Sequence, residues 1–264
     1  MTQPLRLLGV SRSIIDPLVA FAIVAVLWEK AVDLFQIKPY LLPPLSQIMR
    51  TAWNNIDLLF RESMVTATEV ILGYLWAVSG GLALGLAIFA LPLFRRAFYP
   101  LIVVFQGLPK IALAPLLVVW FGYGASSKVL MAFLFAFFPV VISTMGGMAG
   151  TPAHLIEHFH AIGATPWTMF RRLRVPNAMP SIMDGCKMAM PLAVIGAIAG
   201  EFVGSEKGLG NLILLANANA KTDLVFAALL AISILVGVLY MLIELLARRV
   251  WWRAFWAGPS NGWA

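Results

Sequence analysis

Long apolar runs, more than any motif, decide what this chain can become. A helix needs about 20 mostly apolar residues to cross the ~30 Å hydrocarbon core of a bilayer. Six stretches qualify: roughly Ile14 to Phe35, Val65 to Leu91, Tyr99 to Phe121, Lys128 to Met148, Met179 to Val203 and Leu224 to Ala247. The first is the weakest, with Glu29, Lys30 and Asp33 near its far end. The third is interrupted by Pro109, Lys110 and Pro115, and the sixth is charged only at Glu244. Hydrophobic residues make up 61% of the 264 and charged residues 12%, against about 45–50% and 25% in soluble domains, so the excess apolar surface faces lipid. The expectation is an all-α, polytopic membrane protein with six transmembrane helices in a single domain over residues 1–264.

The formal charge of +7 does not point to nucleic acid, because a binder clusters its basic residues on one exposed face. Here they sit in short groups between apolar runs. With the N-terminus in the cytoplasm, ten arginines fall in inside segments: Arg6, Arg12, Arg95, Arg96, Arg171, Arg172, Arg174, Arg248, Arg249 and Arg253. Seven basic residues fall outside, over longer loops: Lys30, Lys38, Arg50, Arg61, Lys128, Lys207 and Lys221. The positive-inside rule then places both termini in the cytoplasm, with Trp251, Trp252 and Trp256 as an interfacial belt. The first apolar run lacks a small-x-small cleavage site and continues into Trp28, Glu29 and Lys30, so it reads as an uncleaved helix rather than a signal peptide. Cys186 is the only cysteine, which excludes an intramolecular disulfide.

Two loops have structure of their own. After Pro43 and Pro44, Ser46 is placed to cap a helix to about Glu62. Its apolar residues Ile48, Met49, Ala52, Trp53, Ile56, Leu59 and Phe60 recur at helical spacing, so it either lies on the outer membrane surface or packs on the protein's own loops. The second loop, about 150–176, is cytoplasmic in this orientation. Leu155, Ile156, Phe159 and Ile162 form one apolar face, Gly163 interrupts, and Thr165-Pro166 reads as an N-cap followed by proline at the first helical position. A second short helix would carry Phe170 and Leu173 and stop before Pro176. A positive φ at Gly163 would suit a tight turn between the two. An exposed apolar face on such a loop calls for a partner to cover it.

Charges inside a membrane are functional suspects by default. Lys110 sits mid-span between two prolines that free backbone groups to line a cavity, so it is a candidate for lining a pathway, against a packing role. Gln106, Met190 and Glu201 join it as lining candidates; Met188, Asn217 and Asn219 are further residues able to meet a solute. Lys187, three residues after Asp184, reads as an intrahelical pair or a snorkelling lysine. Glu201 and Glu206 lie near the outer end of the fifth span, as a gate or as a solvated end. Gly81 with Gly85, and Gly196, Gly200 and Gly204, have the spacing that lets membrane helices approach closely.

The loop around Gly163 resembles the signature of importer permeases of the ATP-binding-cassette superfamily: Glu-Ala-Ala, three residues, Gly, nine residues, then Ile-x-Leu-Pro. Glu157, Gly163, Leu173, Val175 and Pro176 fall at that spacing, with His158 and Phe159 in place of the alanines. Leu108-Pro-Lys-Ile-Ala-Leu-Ala-Pro-Leu116, Trp120-Phe-Gly-Tyr-Gly124, Ser127-Lys128, Phe138-Pro139, Gly200-Glu-Phe-Val-Gly204 and Gly208-Leu-Gly210 are similar to the nitrate, sulfonate and taurine branch. The resemblance implies a type I importer permease in the inner membrane that pairs with a second copy of itself. It also implies a separate ATPase subunit on each copy and an extracytoplasmic solute-binding protein. Glu157, Phe159, Ala161, Gly163, Leu173 and Pro176 would then couple the permease to the ATPase. The implied substrate is a small anion such as a sulfonate, taurine or nitrate.

Consistent with that reading, the chain has no Gly-x4-Gly-Lys-Ser/Thr loop to cradle phosphates. It is expected to be no enzyme and to hold no cofactor, ATP and magnesium being bound by the partner. Two alternatives belong to other classes. His154, Glu157 and His158 spell His-x-x-Glu-His, the pattern of an inverted zinc protease, with His160 nearby; zinc content and a Glu157→Gln variant discriminate it. A passive channel or scaffold would act with no ATPase attached and would tolerate change at Gly163.

Overall fold

The computed structural model describes residues 7–249, and side chains at Asp16 and from Val19 to Arg248. Arg6, Arg253, Trp251, Trp252 and Trp256 lie outside the described residues, as do the side chains of Arg12 and Arg249. Among the described residues eleven α-helices follow one another: α1 Leu7–Leu34, α2 Leu45–Asn54, α3 Ile56–Ala90, α4 Pro92–Gly107, α5 Ala114–Phe121, α6 Ala125–Ala149, α7 Ala153–Ala161, α8 Pro166–Met169, α9 Val175–Gly204, α10 Leu209–Ala218 and α11 Thr222–Arg249. A 3-10 turn, Lys110–Leu113, leads into α5, and a π turn, Phe170–Arg174, joins α8 to α9. There is no strand among the described residues, in agreement with the all-α expectation.

Four of these stretches are long and apolar enough to cross a membrane: Ile56–Ala90, Ala125–Ala149, Pro166–Gly204 and Thr222–Arg248. The expected third span is not one straight helix. α4 and the segment Lys110–Phe121 meet at a bend of 91°. Pro109 disfavours the helical region for the residue before it, and Leu108 is extended, with φ −70° and ψ 138°. The expected first span corresponds to α1, 28 residues long.

The loop before α9 also departs from expectation. The second short helix does not stop before Pro176 but continues through the π turn into the span, giving one helical stretch from Pro166 to Gly204. Proline has no N–H to donate to an i−4 carbonyl. The wider turn at Phe170–Arg174 sits where that missing bond would otherwise break the ladder.

The chain forms two compact units, one from the segment up to Phe60 with Leu212–Ala231, the other from Arg61–Asn211 with the segment from Ile232 on. In the first unit the expected helix 46–62 is broken at Asn55, which has φ −114° and ψ 23°. Its side-chain amide donates to Thr51 O at 2.9 Å. Ser46 does not cap this helix, which starts at Leu45. Its hydroxyl donates to Glu29 Oε1 at 2.6 Å instead. Trp28 Nε1 donates to Pro43 O at 3.2 Å, and Thr51 Oγ1 donates to Asp223 Oδ2 at 2.8 Å.

In the second unit α3, α6 and α9 approach so closely that side chains are excluded at the crossings. A Cβ on Gly81 would meet Val140 at 2.8 Å, and one on Gly85 would meet Thr144 at 2.7 Å. On Gly196 it would meet the Met131 carbonyl at 2.6 Å. The expected small-residue packing is therefore made within the chain. Buried apolar clusters fill in around it, including Met148, Ala178, Ile182 and Cys186 and Ala114, Leu117, Met131 and Ala199.

Candidate functional site

The loop 150–176 presents an exposed helix on an anchored base. None of the residues of α7 is buried. The helix ends in a Schellman turn: Gly163 N donates to His160 O at 3.0 Å and Ala164 N to Phe159 O at 3.0 Å. That turn needs a left-handed residue, and Gly163 has φ +69°. Thr165 then caps α8, its Oγ1 accepting from Thr168 N at 3.2 Å. The base is held by Met169 and Leu173, both buried, and by Phe170 packed on the cluster of Met148 and Ile182. Ile162 and Trp167 point outward at 64% and 68% exposure. Of the six expected coupling residues, Glu157, Ala161 and Gly163 are exposed, Phe159 and Pro176 half-buried, and Leu173 buried. Leu173 thus serves the anchor, and α7 is the part open to a partner.

A second constellation lies where α9 ends and α10 begins. Glu201, 1% exposed, accepts from Thr66 Oγ1 at 2.7 Å through Oε1 and from Gly210 N through Oε2. Thr66 Oγ1 in turn accepts from Leu209 N at 2.9 Å, and Glu62 Oε2 accepts from Gly208 N. These are the orphan N–H groups at the start of α10, the end of a helix that favours negative charge. Lys128 is fully buried and does the reverse. Its Nζ donates to Tyr123 O, to Gly124 O at 3.0 Å and to Gly204 O, the last carbonyl of α9. A cation thus closes the carbonyl end of one helix and an anion the amide end of the next. Both glycines after the turn are needed for space: a Cβ on Gly208 would meet the Glu201 carboxyl carbon at 2.4 Å, and one on Gly210 its Oε2 at 2.8 Å.

The sequence profile of the family described as "Binding-protein-dependent transport system inner membrane component" matches residues 70–252, more than half of the chain. The chain belongs to this family. A probable ABC transporter permease of Haemophilus influenzae is 33% identical over 239 residues, 90% of this chain and 98% of the relative. The formylaminopyrimidine transport permease ThiX of Halalkalibacterium halodurans is 39% identical over 197 residues, 74% of this chain and 78% of the relative. The taurine transport system permease TauC of Escherichia coli K12 is 26% identical over 247 residues, 91% and 90% of the two chains. Among solved structures, a chain of the inward-facing MetNI methionine ABC transporter superposes with a TM-score of 0.61 at 21% identity, covering 76% of this chain and 97% of that one. The fold is that of a type I importer permease, as the sequence implied.

Three of the stretches similar to the taurine and sulfonate branch meet in the permease at one place. Ser127-Lys128, Gly200-Glu-Phe-Val-Gly204 and Gly208-Leu-Gly210 supply the buried lysine, the buried glutamate with the Gly204 carbonyl to which the lysine donates, and the glycines that admit the carboxylate. This assembly is not legible from spacing: Lys128 stands among loop cations in the sequence, and Glu69 is the lone acid inside the second span. The cost of an intramembrane charge was the signal that would have found both. Glu69 is 4% exposed, and among the described residues its Oε2 has no hydrogen-bond partner.

The lining candidates separate. Gln106 is exposed and Lys110 half-buried, whereas Met190 and Glu201 are 2% and 1% exposed within their own chain. Lys110 Nζ stands 5.0 Å from the ring centre of Phe138 and 5.7 Å from that of Phe135, an arrangement in which the ring faces attract the cation. Met188, Asn217 and Asn219 are exposed, as is Glu206. Lys187 has a nearer partner than the expected Asp184: Glu244 Oε2 lies 2.6 Å away and Asp184 Oδ1 3.9 Å. His154, His158, His160 and Glu157 all lie at the surface. Among the described residues no group of three or more His, Cys, Asp or Glu gathers to hold a metal, which leaves the zinc-protease pattern without a third ligand.

Proposed function

We propose that this permease forms half of a homodimeric pathway that takes up a small solute. In this reading a separate ATPase subunit seats on α7 of each copy, and an extracytoplasmic binding protein delivers the solute. The observation that carries the reading is the turn at Gly163. A positive-φ glycine closes a helix with no buried residue, placing Ile162 and Trp167 where a partner's groove can cover them. The base of that loop opens directly into the unbroken stretch Pro166–Gly204, about 58 Å at 1.5 Å per residue. A displacement of the docking loop is thereby carried to the corner held by Glu201 and Lys128, as rigid elements carry motion between sites. The ATPase side is the cytoplasm, which agrees with the cluster Arg171, Arg172 and Arg174 beside the loop.

Lys110 and Gln106, accessible beside the 91° bend, are the residues of this chain best placed to line the pathway. For the solute, the relatives support a small organic molecule. A sulfonate or taurine fits the 26% identical taurine permease, and a formylaminopyrimidine-like heterocycle fits the 39% identical one. The higher identity favours the heterocycle.

Co-purification from mild detergent with a tag on this chain, followed by mass spectrometry and an ATPase assay, tests the proposal. It stands if an ATPase subunit comes down at about one copy per permease and is lost in Gly163→Asp. A permease that purifies with no nucleotide-binding partner, in a strain that encodes one, overturns it.

A further inference from the structure

We propose that α2 is an interfacial helix whose outer face is seated in the lipid headgroup region at the side of the bilayer where α3 begins. The inner face of α2 is already satisfied: Ile48 is 3% exposed, and Ser46 and Thr51 bond to Glu29 and Asp223. Its other face is nevertheless apolar. Met49 and Trp53, one turn apart on α2, are 53% and 76% exposed, and Ile56 and Phe60 at the start of α3 are 54% and 63% exposed.

One observation favours lipid over a protein partner: α3, which follows directly in the chain, has 35 residues, about 52 Å of helix against a hydrocarbon core of ~30 Å. Its ends must stand outside that core. Asp57, Arg61 and Glu62 in its first two turns mark this end as the one at headgroup level. Trp53 then lies at the depth where tryptophan is enriched in membrane proteins. The exposed Arg50 is placed for a lipid phosphate, as on other interfacial helices.

Spin labelling in nanodiscs of phosphatidylethanolamine and phosphatidylglycerol tests this. Cys186 is buried, so Cys186→Ala gives the background for Met49→Cys, Trp53→Cys and, as the control, Asn54→Cys, which is exposed off that face. Labels at 49 and 53 are expected to show a ratio of oxygen to nickel-chelate accessibility at least threefold higher than the label at 54. A label at 53 as open to the nickel chelate as the control places the face in water and overturns the proposal. A label at 53 shielded from both reagents means that protein covers the face, and overturns it equally. Since all three positions are solvent-facing in the fold, loss of folding does not confound the result. The outcome is also independent of whether an ATPase binds.

Discussion

Thr66 Oγ1 lies 2.7 Å from Glu201 Oε1, a contact between the second span and the end of the fifth. It belongs to a set of side-chain bonds at the α9–α10 turn, in which Lys128 holds Gly204 O, and Glu62, Thr66 and Glu201 hold the N–H groups of Gly208, Leu209 and Gly210. Removing one member leaves the others buried without partners, which costs more than the bond itself is worth.

Glu201→Ala removes the acceptor for both Thr66 and Gly210 N. At about 1.5–3 kcal/mol for each bond to a charged group, the expected loss is on the order of 3 kcal/mol or more. Glu201→Gln retains one acceptor oxygen and is expected to lose less. Thermal unfolding of the detergent-solubilised protein checks this. The melting temperature should fall several degrees for Glu201→Ala, by the rough 2–4 °C per kcal/mol of a chain this size, and by less for Glu201→Gln. Equal melting temperatures for all three proteins would remove the corner from the account of stability.

Gly163→Ala and Gly163→Asp act differently from core changes. No atom lies within 4 Å of the Cβ position, so the cost is the left-handed conformation alone, about 1–2 kcal/mol for an L-residue. The permease should insert at wild-type level, with a melting temperature lower by no more than the few degrees that this cost implies. ATPase co-purification should drop, further for Asp than for Ala. Normal ATP-dependent uptake by Gly163→Asp would refute the coupling role of α7.

What was legible beforehand follows from how far each signal is local. Four of the six spans, the glycine turn and the Thr165 cap depend on residues within a turn or a single apolar run, and they appear at the expected places. The 91° bend needed the direction of the chain after Pro109, which sequence spacing marks as an interruption without giving an angle. The corner was least legible because its members are far apart: Thr66, Lys128 and Glu201 come from three helices. Lys128 looks like a loop cation until the fold surrounds it. Spacing offers Lys187 only Asp184, three positions away, whereas its closer partner Glu244 stands on another helix.

Lys110→Met keeps the stem of the side chain and removes the charge over Phe135 and Phe138. The residue is half-buried, and cation–π contacts are worth about 0.5–2 kcal/mol, so folding should change little. In the proposed pathway role the variant should transport at a reduced rate, by tenfold or more, with the ATPase still bound. Uptake in proteoliposomes containing the ATPase and binding protein is the measurement. Unchanged kinetics would return Lys110 to a packing role.

Lys187 and Glu244 are 15% and 21% exposed, so their 2.6 Å pair is largely withdrawn from solvent. A buried pair contributes little net stability, while breaking it by removing one partner strands the other charge. Lys187→Met is therefore expected to destabilise the protein by more than the double variant Lys187→Met/Glu244→Gln, a coupling that only a double-mutant cycle separates from the single effects. Arg248, whose Nε donates to Glu244 Oε1 at 3.0 Å, remains with Glu244 in the single variant and moderates the loss. A further Arg248→Met change in the Lys187→Met background should therefore lower the melting temperature again. If the two single variants and the double variant simply add, the pair is a surface-like contact, and α9 and α11 are joined at that end by packing alone.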